Sequence, residues 1–285
     1  MPAPAMPPLA ELFTAADPAA RSLVLAEMRR ALDDPGLGSE PSRLAQLRLV
    51  YQPRLDLGSG RVVAVEALLR WRHPRLGNVS PALFIPVIEP DPLIGRLTDW
   101  VLDRSMAFAA RLDRAGHNVR VSANVAPANL TIGYLAGRLV ELLGQHDLRP
   151  SRLELEFTEG ALIGDDRRTL AQLHQIRRIG IGVAIDDFGA GYSNLGYLKQ
   201  IPADVLKIDR ALVAPIADEH ASATIVKWLI GLSHELGLRV VAEGLETAGM
   251  QEMVAAMGCD EGQGYHIARP LEADALLDWL SAQRS

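Results

Sequence analysis

Four stretches of this chain place acidic residues where a buried strand should end. Glu66 closes VVAVE, Glu156 closes LELE, Asp186 and Asp187 close GVAIDD, and Glu243 closes VVAE. A carboxylate taken out of water without a partner takes up a proton, whereas several facing one point are reconciled by divalent cations. Asn124, Lys207 and Gln263 fall near the ends of three further strand-like segments. Carboxylates with an amide carbonyl form an oxygen-only donor set suited to Mg²⁺ or Mn²⁺, and the lack of a His or Cys cluster argues against structural zinc. Two adjacent aspartates allow one to bridge while the other serves a second ion, the arrangement of two cations clamping an attacked phosphate. Lys207, in DVLKIDR, would have its ammonium disfavoured beside such cations and so could accept a proton. An ion pair with Asp209 explains the same lysine equally well at this point.

The elements that must position these residues alternate. Strand-like runs lie near 47–52, 62–69, 119–124, 152–157, 181–186, 204–208, 238–243 and 262–267, with amphipathic stretches at 94–114, 133–145, 166–178, 219–236 and 246–257. Eight nearly continuous apolar strands separated by helices predict a parallel sheet closed into a (β/α)8 barrel, whose strand ends share one mouth. An open doubly wound sheet would need a phosphate loop after the first strand, but YQPRLDLGSG is a hairpin-type turn into VVAVEALL, so the first strand should run antiparallel. Residues 1–44 are expected to be a flexible Ala/Pro-rich start plus a short helix, and 45–285 the barrel. That helix should be capped by Asp17 and start at Pro18, with Leu25, Met28 and Leu32 on one face opposite Arg21 and Arg29. It would cover one end of the barrel or serve dimerisation or signalling.

Composition narrows the function further. A formal charge of −6 over 285 residues argues against DNA or RNA polymers as partners. Cys259 is the single cysteine, which excludes an intrachain disulfide and reads as packing. The start, MPAPAMPPLAEL, has no signal-peptide pattern and no run approaches the ~20 apolar residues of a membrane span, so a cytoplasmic location is expected. His73 should order a loop, and Trp71 should pack or shape the pocket. The DFG of DDFGAGYSNL is not a kinase signal, because no glycine-rich phosphate loop, VAIK strand or HRD loop accompanies it.

Nine strings in order carry a family resemblance: YQP, EALLRWRHP, FIPVIE, the Asn of SANVA, ELEFTE, DDFGAGYSNL, LKIDR, VVAEGLET and QGY. Over about residues 45–280 the chain resembles the EAL-domain phosphodiesterases of bacterial cyclic-di-GMP signalling. The resemblance implies a modified TIM barrel that hydrolyses cyclic-di-GMP to linear pGpG with two Mg²⁺ or Mn²⁺ ions. It implies Glu66, Asn124, Glu156 and Asp186 as ligands of one ion, and Asp186, Asp187 and Glu243 as ligands of the other. Lys207 would orient or deprotonate the water, Gln263 would hold a water, and Glu159 would anchor the Asp187 loop. Gln52 and Arg70 would contact the substrate, and Asp209 and Glu246 match positions near it. A homodimer through the helix near GYLKQIP is also implied. The chain departs from the family pattern at PDP (90–92), Ala126, Ala190, Glu261 and Ile267. None of these removes an implied ligand, but Pro90 and Pro92 bear on substrate affinity and Ala190 on turnover. The competing expectations are an EAL-type receptor that binds cyclic-di-GMP or a partner protein without cleavage, and another metal-dependent phosphoesterase on the same barrel.

Overall fold

The computed structural model describes residues 18–34, 46–162, 167–191 and 198–283. They form two compact units, one of the described residues up to Leu49 with Leu69–Val101, the other of Val50–Leu68 with the chain from Leu102 onward. Nine strands are described: β1 Leu47–Asp56, β2 Val62–His73, β3 Gly77–Val79, β4 Arg120–Asn124, β5 Leu153–Thr158, β6 Gly182–Phe188, β7 Val205–Ile208, β8 Arg239–Ala242 and β9 Glu261–Gln263. They pair in the order β1-β9-β8-β7-β6-β5-β4-β2-β3, and an additional β1–β2 pairing closes the ring. Eight strands therefore form a barrel, with β3 attached to β2 as an antiparallel hairpin arm.

β2 and β4 to β9 run parallel, and β1 is antiparallel to β9, with Arg54 opposite Gln263. The hairpin origin of that reversal is visible where the amide of Asp56 donates to the carbonyl of Arg61 at 2.8 Å. Helices fall where the periodicity predicts them, at Leu93–Arg114, Leu135–Gln145, Arg167–Ile179, His220–Glu235 and Ala248–Ala256. The last strand differs from the prediction. It ends at Gln263 because the chain turns at once: the amides of Ile267 and Ala268 both donate to the carbonyl of Gly264. Among the described residues no helix is long and apolar enough to cross a membrane.

In the larger unit the strands are buried on both faces, but the faces differ chemically. Along β5, Leu153, Leu155 and Phe157 alternate with Glu154 and Glu156, and all five are buried. Glu154 meets Arg54 of β1, which is not its neighbour in the sheet, so the polar face is the inside of the ring. Arg54 is almost fully buried. Its guanidinium lies 2.8 Å from Glu154, 2.6 Å from Glu261 and 3.9 Å from Glu156, and Arg120 and Arg239 complete the cluster on Glu261. Glu261 is thus the hub of a charged floor. Ala184, Val205 and Val241 form a small buried apolar cluster on the same strands as the mouth. Cys259 is buried and within hydrogen-bond range of the carbonyls of Val240 and Glu261, and burial pushes its thiol up to about 12.

The smaller unit contains the helix Pro18–Leu32 and the outer part of β2 with its β3 arm. Its inward stripe is Ala20, Val24, Met28 and Ala31, one step round from the predicted face, while Arg21 and Arg29 are exposed as expected. The expected cap, Asp17, lies outside the described residues. Glu27 of the same helix is within 3.3 Å of His73 Nε2, and His73 Nδ1 accepts from the amides of Arg75 and Leu76, so this histidine does order a loop. Trp71 packs edge-on against Phe84 at 5.2 Å and donates to Gln46, which is a packing role. In the PDP segment Asp91 accepts from the amide of Leu93 and starts the helix Leu93–Arg114.

Two outcomes follow from the buried floor. Replacing Arg54 by leucine strands Glu154 and Glu261 without their cation, and should cost about 3–5 kcal/mol of stability in urea titration. Glu154 is held down at about 2, burial opposing and Arg54 outweighing it. Its contribution to stability is therefore full above the unfolded value of 4.5 and is lost as pH falls toward 2. Glu154→Gln should flatten that acid limb in unfolding followed by circular dichroism.

Candidate active site

The alternation that builds the floor also builds the mouth. Two residues beyond Glu154 stands Glu156, two beyond Glu261 stands Gln263, two beyond Ala184 stands Asp186, and two beyond Val205 stands Lys207. Each inward position nearer the carboxyl end of its strand belongs to the mouth. Lys207 is buried and its ammonium lies 2.7 Å from Glu243, 2.8 Å from Asp186, 2.9 Å from Glu156 and 3.6 Å from Glu66. It makes no pair with Asp209, whose carboxylate instead caps the helix Arg210–Val213 by accepting from the amide of Ala211.

Amides fix the orientation of Glu66. Its two oxygens accept from Asn124 at 2.9 Å and Gln263 at 2.6 Å. Gln263 also donates to Gln52, which donates in turn to the carbonyl of Ala268. Asn124, Glu66 and Gln263 therefore stand together, with their side-chain nitrogens turned to the carboxylate.

Asp186 and Asp187 are adjacent on a strand, where regular pleating would send them to opposite faces. A register shift between Ile185 and Phe188 and a left-handed backbone at Asp187 (φ 54°) undo that alternation. As a result Asp186, Asp187 and Glu243 each present an oxygen within 4.8 Å of the others. The following turn is closed by Gly189, whose amide donates to Glu159 at 3.4 Å. Its φ of 95° favours glycine, and a Cβ there would fall 2.2 Å from a terminal carbon of Leu212, which would have to move. The remainder of the DDFGAGYSNL string, from Tyr192, lies outside the described residues.

Five carboxylates face one ammonium here, and the electrostatics register the excess. Burial, with Glu66 and Asp186 close by, pushes Glu156 well above the usual carboxylate range, although Lys207 pulls the other way. Glu243 is pushed up to about 8 by burial and Asp186, against Lys207, and Asp187 to about 6 by burial and Asp186. Glu66 goes down: burial opposes, but Lys207, Gln263 and Asn124 outweigh it. For Lys207 burial lowers, yet the surrounding carboxylates raise its value well above that of a free lysine. The direction is opposite to that expected beside cations, because the four carboxylates around it outweigh its burial. Glu156 Oε1 and Gln263 Oε1 are buried without a hydrogen-bond partner. Oxygen donors in surplus, three of them converging, fit hard divalent cations.

The mouth opens into a cleft of ≈ 230 Å³ lined by Gln52, Glu66, Asp186, Asp187, Glu243 and Gln263, together with Arg210, Glu246 and Tyr265. Glu246 is ion-paired to Arg210 at 2.9 Å. Arg70 belongs to the smaller unit, four residues beyond Glu66 on β2, and donates to the carbonyl of Leu69. Arg210 and Tyr265 were not singled out in the sequence. Both sit in strings that carry the family resemblance, immediately after LKID and within QGY.

A profile of the EAL domain matches residues 39–270. This chain belongs to the EAL domain family. Among its EAL relatives, a protein named cyclic di-GMP phosphodiesterase PA2567 of Pseudomonas aeruginosa is 44% identical over 232 residues, covering 81% of this chain and 40% of that one. The cyclic di-GMP phosphodiesterase NbdA of the same organism is 39% identical over 259 residues, covering 90% of this chain and 32% of the relative. The chain thus spans two fifths or less of the length of these relatives. Of solved EAL structures, one described as the PaMucR phosphodiesterase in complex with c-di-GMP superposes with a TM-score of 0.81 at 36% identity, covering 89% of this chain and 99% of that one. The EAL enzyme Bd1971, in a form bound to cAMP and cyclic-di-GMP, gives 0.84 at 28% identity, covering 95% and 72%.

The Asp187 turn can be tested directly. Gly189→Ala should keep the barrel's circular dichroism spectrum while weakening Mn²⁺ binding by about tenfold or more in calorimetry, because the clash with Leu212 moves the aspartate pair.

Proposed function

We propose that this chain is a metal-dependent phosphodiesterase that hydrolyses cyclic-di-GMP to linear pGpG. The observation that carries the assignment is the mouth itself: five carboxylates around one buried lysine on a barrel of the EAL family. The relatives named as cyclic-di-GMP phosphodiesterases, and the complex of one EAL structure with that dinucleotide, support the substrate. Against one ammonium, five carboxylates leave an excess of four negative charges, which two divalent cations would balance.

Glu66, Asn124, Glu156 and Asp186 would hold one ion, and Asp186, Asp187 and Glu243 the other, with Mg²⁺ or Mn²⁺ suited to the oxygen donors. Bound there, the cations supply positive charge to the phosphate oxygens and acidify water. Lys207 has the reach and burial to orient that water and carry its proton once cations share the carboxylates. Gln263, held by Glu66 and Gln52, turns an unpartnered carbonyl oxygen into the interior and can accept a hydrogen bond from water. Glu159 acts through the Gly189 amide to position the aspartate turn. Gln52 and Glu246 line the cleft and would meet substrate, Arg70 would reach its phosphate, and Asp209 supports Arg210 by capping its helix.

Residues 45–285 would be the phosphodiesterase portion, appended to the 1–44 segment, and would act in the cytoplasm. A homodimer is part of the proposal; of GYLKQIP, Gly196 and Tyr197 lie outside the described residues.

Purified protein incubated with cyclic-di-GMP and Mg²⁺ or Mn²⁺ should yield pGpG, and a chelator should stop it. Binding without product would instead make the chain a receptor, and faster cleavage of simple aryl phosphodiesters would make it a different phosphoesterase. Glu66→Ala and Lys207→Ala should each abolish cleavage with the fold retained by circular dichroism, and only the glutamate change should also weaken Mn²⁺ affinity, by roughly 10–100-fold in calorimetry.

A further inference from the structure

Two of the three carboxylates that converge at the mouth are not fixed by the ladder of strands. Asp187 has left it through the register shift of β6, and Glu243 is the first residue past the end of β8. β7 lies between those strands, so the ends that carry Asp187 and Glu243 stand two strand spacings apart, about 10 Å. An oxygen of each nevertheless lies within 4.8 Å of the other. That approach is set by what the chain does beyond the sheet.

The segment that leaves β7 touches both turns. The amide of Asp209 donates to the carbonyl of Phe188 on one side, and the amide of Glu243 donates to the carbonyl of Ile208 on the other, each at 3.1 Å. The helix Arg210–Val213 follows, capped by Asp209. Its Leu212 rests on Gly189, where a Cβ would fall 2.2 Å from the leucine Cδ1. Its Arg210 rests on Gly244, where a Cβ would fall 2.4 Å from the arginine Cγ, and its guanidinium is paired to Glu246 at 2.9 Å. Gly189 and Gly244 directly follow Phe188 and Glu243, and both have a left-handed backbone, with φ of 95° and 71°. Each turn thus leaves its strand without a side chain and leans on the same short helix. In a close-packed interior, a rigid element wedged between two segments sets their separation.

Resting on the two-cation reading above, we propose that Leu212 and Arg210 are positioning residues. The helix Arg210–Val213 is a strut whose two side chains set the distance from Asp187 to Glu243 and so the fit of the second cation. The first cation, on Glu66, Asn124, Glu156 and Asp186, does not depend on it.

The test is Mn²⁺ titration calorimetry on the full chain, resolving the two ions, together with thermal unfolding. Leu212→Ala should weaken one ion roughly 10- to 100-fold and leave the other within about twofold, whereas Leu212→Met, which keeps carbon over Gly189, should retain most of the affinity. Arg210→Ala should weaken the same ion and Arg210→Met should not, because the stem and not the charge rests on Gly244. Val213 is buried on the same helix and serves as the stability control: Val213→Ala should lower the melting temperature and leave both Mn²⁺ affinities unchanged. Unchanged binding in Leu212→Ala overturns the proposal, as does equal weakening of both ions, or the same loss in Val213→Ala. Equal losses in the two Arg210 variants overturn the part given to the arginine stem. If the unaltered chain takes up fewer than two Mn²⁺ ions, the two-cation reading itself fails and the strut falls with it; two ions in the unaltered chain with no selective loss in Leu212→Ala sinks the strut alone.

Discussion

A closed ring of eight strands leaves nowhere for its inward-facing side chains to go. Every second residue of each strand must share one narrow volume with its counterparts from the other strands. In most such barrels that volume is filled with hydrocarbon, but here it is filled with charge, and the rest of the molecule follows from how that charge is compensated. The lower layer compensates itself, with Arg54, Arg120 and Arg239 gathered on Glu154 and Glu261. The upper layer does not, because five carboxylates meet a single lysine. The small apolar cluster of Ala184, Val205 and Val241 lies among the strands that carry both.

That division is also a division of labour. A buried cluster with its charges matched is rigid, and removing one partner leaves an uncompensated ion in a low-dielectric interior. Glu156 touches both layers, with one oxygen 2.9 Å from Lys207 and the other 3.9 Å from Arg54. Its carboxylate is therefore held between a cation of the floor and the cation of the mouth. Asp187 is the contrasting case. It reaches the mouth by a register shift and a left-handed backbone, so its place depends on the Gly189 turn and not on the ladder of strands.

Much of this was legible in the residues. The acidic strand ends, the eight-strand count and the reversed first strand all follow from apolar runs and one hairpin turn, which are local signals of known period. The charged floor was not singled out, although its signal was present: Glu154 stands two before Glu156, Glu261 two before Gln263, and Arg54 two after Gln52. Extending the inward parity of the mouth down each strand would have found it. The short last strand was over-extended because YHI has strand-forming composition, while the contact between Gly264 and the Leu245 backbone that turns the chain is tertiary. The state of Lys207 could not be read from its neighbours in sequence, since all four carboxylates that hold it come from other strands or strand ends.

Those four contacts have one more consequence. A lysine long enough to reach the focus of four anions is a tethered monovalent counterion, supplied by the polypeptide itself. Its positive charge offsets part of the acidic interior that the strands enclose. In the proposed two-cation site, loading would share those carboxylates between the tethered ammonium and free ions, and would leave the ammonium beside the proposed place of the water.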